Sequence, residues 1–226
     1  MEKRYRHELK HHINYADFLT IRMRMRAIMT PDPHAIDGKY HIRSLYFDTP
    51  YDKALKDKIN GVDMREKFRI RFYNLDPSFI HLEKKSKRKG LGTKYSAELT
   101  PEEALKIVSN DTGWMRDDER DLIQELYLKM NYQSLRAKTI VDYIREPFIY
   151  APGNVRVTLD YDLRTGMAGT DFLNPECITV PVRDAPIILE VKWDEYLPGI
   201  IKDAVQLGNV RSNAFSKYAV CRAYGL

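Results

Sequence analysis

The chain is rich in segments in which polar and apolar residues alternate. In "FRIRFY", three apolar residues fall on one face of a strand while Arg69, Arg71 and Tyr73 fall on the other. Several neighbouring segments of this kind are separated by short turns, which favours an antiparallel sheet. The same reading predicts strands near residues 3–13, 39–47, 63–74, 78–87, 93–99, 137–150, 154–162 and 186–193.

Helical segments lie between these strands. Asn14 is a candidate N-cap for the first helix, and Thr100 is followed by proline and two acids, a strong signal for a helix start. Pro50 could occupy the first turn of another helix. Neither repeats nor breaks in composition divide the chain, so we expect one α+β domain over residues 1–226. The predicted helices cover residues 14–29, 50–59, 100–108, 116–130, 198–208 and 213–224.

Most predicted strands have one apolar face and one face that carries charges of both signs. Glu83, Lys85 and Lys87 share a face in "HLEKKSK", and Glu190 and Lys192 share a face in "IILEVKW". An open sheet would turn such faces to water. A closed barrel with helices outside would instead hold them in its interior, where charges are costly unless they are paired or bind a ligand.

The composition suits an anionic partner. The net charge is +5 and the isoelectric point is about 9.0, which fits nucleic acid, an anionic membrane or phosphate. Cys177 and Cys221 are too few for a disulfide framework or a zinc site, so we expect reduced thiols in a cytoplasmic protein. Apolar runs fall short of a membrane span, and the first residues lack the features of a signal peptide.

A set of short motifs, in a fixed order, resembles a known family. The chain is similar to the VTC (vacuolar transporter chaperone) polyphosphate polymerase domain, within the triphosphate tunnel metalloenzyme superfamily. The resemblance covers nearly the whole chain. Its motifs are "RYRHELKHHI", "SLYFDT", "KFRIRFY", "HLEKKSKRKGLGTKYSAELT", "TIVDYIREPF", "VRVTLDYDLR", "ILEVKW" and "SKY".

The resemblance implies an antiparallel β-barrel tunnel with a charged interior and helices packed outside. It also implies a bound triphosphate or polyphosphate with Mn²⁺ or Mg²⁺, and it assigns Glu190 and Glu8 as metal ligands. The residues matched to catalytic phosphate contacts are Lys10, Arg69, Arg71, Lys85, Lys94, Arg145, Arg156 and Lys217. The matched secondary substrate-binding residues are Tyr73, Lys87, Tyr143 and Ser216.

The first motif departs from the pattern of the superfamily. That pattern is E-x-E-x-K, and Arg6 stands here where the first acid is expected, while Glu8 and Lys10 match. Fewer carboxylates favour the polymerase branch over a hydrolytic site with two metals. The residue types suit phosphoryl transfer, which depends mainly on positioning and charge stabilisation by cations.

Three functions remain open from the sequence. The leading one is a phosphotransferase that moves the terminal phosphate of ATP to a polyphosphate chain. The alternatives are a metal-dependent hydrolase of triphosphate or tripolyphosphate, and a non-catalytic module that binds polyphosphate. Nucleic acid is not an expected partner. Acidic side chains lie among the basic ones on the strands, and aromatic residues on which nucleobases could stack are not evident.

Overall fold

The computed structural model describes residues 7–88, 91–206 and 215–224; Arg6 lies outside these ranges. The described residues form ten β-strands, six α-helices and two short 3₁₀ helices. The strands are β1 (His7–Ile13), β2 (Thr30–Pro31), β3 (Tyr40–Asp48), β4 (Arg65–Tyr73), β5 (Asp76–Arg88), β6 (Leu91–Leu99), β7 (Arg136–Tyr150), β8 (Val155–Thr165), β9 (Val180–Pro181) and β10 (Ile187–Trp193). The α-helices are α1 (Tyr15–Ile28), α2 (Lys53–Ile59), α3 (Pro101–Val108), α4 (Asp121–Tyr132), α5 (Gly199–Val205) and α6 (Lys217–Ala223).

The chain folds into two compact units, each built from three segments. The first unit comprises Met1–His41, Tyr143–Leu163 and Arg183–Phe215. The second comprises the intervening segments and the C-terminal segment. The expectation of one domain over residues 1–226 stays a prediction.

The first unit is an antiparallel sheet covered on one face by α1. β1 pairs with β10 and β10 pairs with β8, both antiparallel. Phe18, Ile21 and Met25 of α1 pack into the same apolar core as Val157 of β8 and Val191 of β10. Because residues alternate along a strand, the neighbours of these core residues point to the opposite face of the sheet.

The second unit repeats this arrangement with other elements. β3, β4, β5 and β6 pair antiparallel in sequence order. Ile107 of α3 and Leu126 of α4 pack on Ile70 of β4 and Leu82 of β5. In both units, helices therefore cover the apolar side of a sheet whose other side carries charged residues.

Several helix boundaries follow the sequence signals, and two do not. Asn14 caps α1 by accepting a hydrogen bond from the backbone N–H of Asp17 at 2.8 Å. Thr100 forms a capping box with Glu103 at α3. The prediction that Pro50 opens a helix was wrong: α2 begins at Lys53, and its N-cap residue is in the left-handed region.

The helix expected over 116–130 was also placed too early. A 3₁₀ helix covers Gly113–Met115, and α4 begins only at Asp121. Asp118 receives hydrogen bonds from the side chain and backbone of Arg120, which favours a turn over a helix at this point. The short strands β2 and β9 were not predicted, because two-residue pairings leave no periodic pattern.

Both cysteines are free thiols, as expected, and Cys221 is buried. None of the described helices combines the length and the apolar character needed to cross a membrane.

Candidate functional site

The charged face of the first unit centres on Glu190. This Glu190 cluster consists of Glu8, Lys10, Arg145, Asp160, Glu190 and Lys192. Glu190 is 5 % exposed, and its carboxylate lies 3.0 Å from Lys10 Nζ, 3.1 Å from Lys192 Nζ and 3.7 Å from Arg145 Nη2. Strand pairing explains these contacts, because Lys10 lies directly opposite Glu190 in the β1–β10 register.

The cations around Glu190 keep it ionised. Burial by itself would raise its pKa, but Lys192, Lys10 and Arg145 hold the pKa well below its usual range. Burial would lower the pKa of Lys10, but Glu190 and Glu8 raise it above its ordinary value. Glu8 contacts both Lys10 and Lys192, so the two carboxylates share the same two lysines.

Arg145 is fixed in a single orientation by its neighbours. Asp160 accepts two hydrogen bonds from it, from Nε at 2.6 Å and from Nη2 at 2.7 Å. Its guanidinium also lies over the ring of Tyr143, 5.6 Å from the centroid. Such a planar, pre-oriented fork suits the oxygens of a phosphate group.

The charged face of the second unit centres on Glu83. This Glu83 cluster consists of Tyr46, Arg69, Arg71, Glu83 and Lys94. Glu83 lies 2.5 Å from Arg69 Nη2, 2.5 Å from Lys94 Nζ and 4.0 Å from Arg71 Nη1. Burial would raise the pKa of Glu83, but Arg69, Arg71 and Lys94 hold it below its usual range. Three cations therefore surround one carboxylate.

A row of three lysines adjoins this cluster. Lys67 of β4 lies directly opposite Lys85 of β5, and Lys85 lies directly opposite Lys94 of β6. Like charges placed opposite one another destabilise a sheet. The row thus concentrates positive charge on the face that also carries Arg69 and Arg71, an arrangement suited to binding an anion.

Tyr46 connects the Glu83 cluster with the C-terminal helix. Its hydroxyl accepts a hydrogen bond from Arg69 Nη1 at 2.8 Å. Its ring stacks on Tyr218 of α6 with centroids 5.0 Å apart, and the hydroxyl of Tyr218 donates to Asp48 at 2.6 Å. The start of α6, where Ser216 and Lys217 lie, is anchored through these aromatic and polar contacts.

The remaining sequence-predicted residues lie at varied positions. Arg156 is on the charged face of β8, with Nη2 3.4 Å from Asp32 Oδ2. Ser216 caps α6, and its hydroxyl accepts from the backbone N–H of Ala219 at 3.3 Å. Lys87 is exposed near the end of β5, and Tyr73 is the last residue of β4.

Sequence reasoning missed four residues of these surroundings. Tyr46 was not predicted, although alternation along β3 places Ser44 and Tyr46 on the face opposite Leu45. Lys67 begins the same alternating run as Arg69 and could have been found from it. Glu83 and Asp160 were not among the predicted site residues, and each binds an arginine here.

The VTC domain model matches residues 5–225. The chain belongs to the VTC domain family. No curated protein matches this VTC domain, and the match to the family model bears out the resemblance seen in the motifs.

Two of the solved structures that match this chain illustrate the likeness in fold. The first is described as an adenylyl cyclase candidate, HpAC1 of Hippeastrum, with a dominant triphosphatase activity. It is 16% identical, with 97% of this chain and 96% of that chain covered, at a TM-score of 0.57. The second is a candidate adenylate cyclase (bh2851) of Bacillus halodurans, 14% identical over 85% of this chain and 82% of that one, at a TM-score of 0.53.

These likenesses establish the fold class. This VTC domain is an α+β protein with an antiparallel sheet and helices on the outside of the sheet, as the sequence predicted, and it shares this fold with both solved structures. At this level of identity they show the fold alone.

Proposed function

We propose that this VTC domain transfers the terminal phosphate of ATP to the end of a polyphosphate chain, assisted by Mn²⁺ or Mg²⁺. The lysine row beside the Glu83 cluster is the observation that carries the proposal. Three lysines face one another on adjoining strands, next to two arginines that are 7 % and 5 % exposed. A chain of phosphates would neutralise this charge along its length, since each phosphate carries at least one negative charge.

Buried cations are costly unless they have partners of opposite charge. Removing an ion from water costs several kcal/mol even after the protein relaxes. Glu83 offsets part of this cost for the buried guanidinium of Arg69. A bound polyanion would offset more of the cost of burying these cations. The same positive charge would give the site its affinity for phosphate.

Glu190 and Glu8 supply oxygen donors for a divalent metal. Mg²⁺ can be held by one or two protein carboxylates when phosphate oxygens and waters complete its shell. No group of three or more His, Cys, Asp or Glu side chains close enough to hold a metal occurs in the described ranges. The two carboxylates Glu190 and Glu8 would suit a metal whose other ligands come from the substrate and from water. Such a metal supplies Lewis acidity at the phosphate oxygens.

The side chains of this chain would act by positioning and by charge. Asp160 fixes the guanidinium of Arg145, and Glu83 fixes that of Arg69, so both forks are oriented before a phosphate binds. Such donors stabilise charge that develops on phosphate oxygens during transfer without having to reorganise. An anionic chain end needs no general base to attack.

Hydrolysis of triphosphate or tripolyphosphate is the second candidate. The observation that favours it is the position of Glu8, which shares Lys10 and Lys192 with Glu190 and so adds a second carboxylate to the cluster. Water would then attack in place of the chain end. A non-catalytic module that binds polyphosphate is the third candidate.

The deciding experiment incubates the pure protein with ATP and Mn²⁺ and follows two products. Long chains on a gel would support the polymerase, while release of free phosphate alone would favour the hydrolase. Tripolyphosphate binding without either product would indicate the non-catalytic module. Lys85→Ala should reduce binding and activity, whereas Lys106→Ala on α3 is the matched control, since Lys106 pairs locally with Glu102. Absence of both products and of binding would overturn the proposal.

A further inference from the structure

A buried hydroxyl in the first unit has no hydrogen-bond partner among the described residues. It belongs to Thr158 of β8, which is 2 % exposed. A buried hydroxyl without a partner costs free energy of folding, and such groups are rare in native structures. This one therefore requires an explanation.

The position of Thr158 places it in the charged surroundings of Glu190. Its neighbours Val157 and Leu159 lie in the apolar core, so alternation turns Thr158 to the charged face. There it lies directly opposite Glu190 in the β8–β10 register. Nε of Arg156, two residues away on the same face, is likewise buried without a partner among the described residues.

The nearest acids already have donors. Lys10 and Lys192 bind the oxygens of Glu190, and Arg145 donates to both oxygens of Asp160. The strand itself does not need the hydroxyl either, because valine has nearly the same shape and suits a strand equally well. A ligand bound on this face would supply the acceptor that the described residues do not give the hydroxyl.

We infer that Thr158 is a further substrate-binding residue, whose hydroxyl donates a hydrogen bond to a phosphate oxygen of the anion bound by Arg145 and Lys10. The inference rests on the proposed function for the identity of the ligand as a phosphate anion. Nε of Arg156 offers a second donor beside it. Together they add two donors on the charged face of β8 to the cations Arg145 and Lys10.

The test replaces only the hydroxyl. Thr158→Val keeps the shape, and Thr158→Ser keeps the donor. The dissociation constant of tripolyphosphate, measured by calorimetry on the whole chain without metal, should rise about tenfold or more for Thr158→Val and stay within about threefold for Thr158→Ser. The melting temperature of Thr158→Val should stay the same or rise, because the substitution removes an unsatisfied buried polar group.

A matched control separates binding from structure. Thr139 is also buried, but its hydroxyl contacts Thr165 Oγ1 at 3.3 Å. Thr139→Val should therefore lower the melting temperature and leave tripolyphosphate binding unchanged.

The outcomes distinguish this inference from the proposed function. If the wild type binds tripolyphosphate and Thr158→Val binds it equally well, the assignment of Thr158 is overturned and the proposed function stands. A wild type that does not bind tripolyphosphate overturns both. Weaker binding accompanied by a lower melting temperature assigns Thr158 a structural role and overturns the inference. If the valine variant does not fold, Thr158→Ala takes its place with the same binding criterion.

Discussion

At the scale of a single residue, Glu190 offers a test that distinguishes the proposed metal binding from anion binding. It is the buried carboxylate that Lys10, Lys192 and Arg145 surround. Glu190→Ala should lower metal-dependent turnover by at least about a hundredfold, because the proposed main oxygen donor to the metal is lost. Tripolyphosphate should still bind to the variant, since removing one negative charge makes the cluster more cationic. Turnover with Mn²⁺ and calorimetric binding measure the two effects.

Glu195→Ala is the matched control for this variant, because Glu195 follows β10 and is exposed. It should retain both turnover and binding. Full Mn²⁺-dependent activity in Glu190→Ala would place the metal elsewhere, with Glu8 the next carboxylate to test.

The hydroxyl of Tyr46 should ionise unusually easily. Burial raises its pKa, but Arg69, Lys67 and Arg71 outweigh burial and lower the pKa to about 8 from the ordinary 10.0. Since the folded pKa lies below the unfolded one, ionisation stabilises the fold. This contribution is fully present above about pH 10, decreases as the pH falls, and is absent below about pH 8. Phenolate absorbance should show a step near pH 8 that Tyr46→Phe removes.

Tyr161→Phe is the control for that titration. Burial and the hydrogen bond to Glu146 raise the pKa of Tyr161, so this variant should keep the step near pH 8. A step that persists in Tyr46→Phe would show that the cations around Tyr46 do not stabilise its phenolate.

Sequence alternation predicted which residues share a polar face but not which residues pair. Arg69, Arg71 and Glu83 could be placed on one face from the period of two alone. That Asp160 accepts two hydrogen bonds from Arg145 depends on the order of strands in the sheet, which the local pattern does not contain. Alternation placed Lys192 on the same face as Glu190, but the burial of Glu190 was not predictable from one strand.

At the scale of elements, α6 is held by polar contacts across the second unit. The hydroxyl of Tyr218 donates to Asp48, which also accepts from the backbone N–H groups of Ala54 and Leu55 at the start of α2. Arg222 adds an ion pair with Asp52. One carboxylate thus ties the C-terminal helix to α2.

Removing the Tyr218 hydroxyl should loosen this connection. Tyr218→Phe leaves buried Asp48 with one donor fewer, which should cost about 1–3 kcal/mol of unfolding free energy. Urea denaturation measures it. Tyr224→Phe is the control, because Tyr224 is 42% exposed at the end of α6. Loss of its hydroxyl should change the free energy of unfolding little. Equal stability of Tyr218→Phe and the wild type would contradict the role given to this bond.

Element boundaries were predictable where a capping residue marks them. Asn14 and Thr100 satisfy the first backbone N–H groups of their helices through their own side chains, so the sequence carries the signal. α2 lacks a side-chain cap of its own and relies on Asp48, four residues before its N-cap. Anchoring by a residue outside the helix leaves no local sequence pattern, so the prediction that Pro50 opens this helix was wrong.

At the scale of the whole molecule, the charge of the chain is concentrated on particular faces. The net charge is only +5, yet the second unit places Lys67, Lys85 and Lys94 in one row beside Arg69 and Arg71. The family and the fold were predictable because ordered motifs cover nearly the whole chain. Synthesis and hydrolysis would both rely on such cations, so the cationic motifs do not separate them. Only Arg6, where the first acid of the opening motif is expected, favours synthesis.

Binding of tripolyphosphate should therefore weaken steeply as salt rises. Added ions screen the attraction between the lysine row and the phosphates, and the screening length falls from about 10 Å at 0.1 M to about 3 Å at 1 M. Calorimetric titrations over this range should give a linear fall of log affinity with log salt. Lys85→Ala should bind more weakly and with a shallower slope, because one contributing charge is gone, while Lys106→Ala keeps the wild-type slope. A flat salt dependence, or tighter binding of duplex DNA than of polyphosphate, would contradict recognition of phosphate chains by these strands.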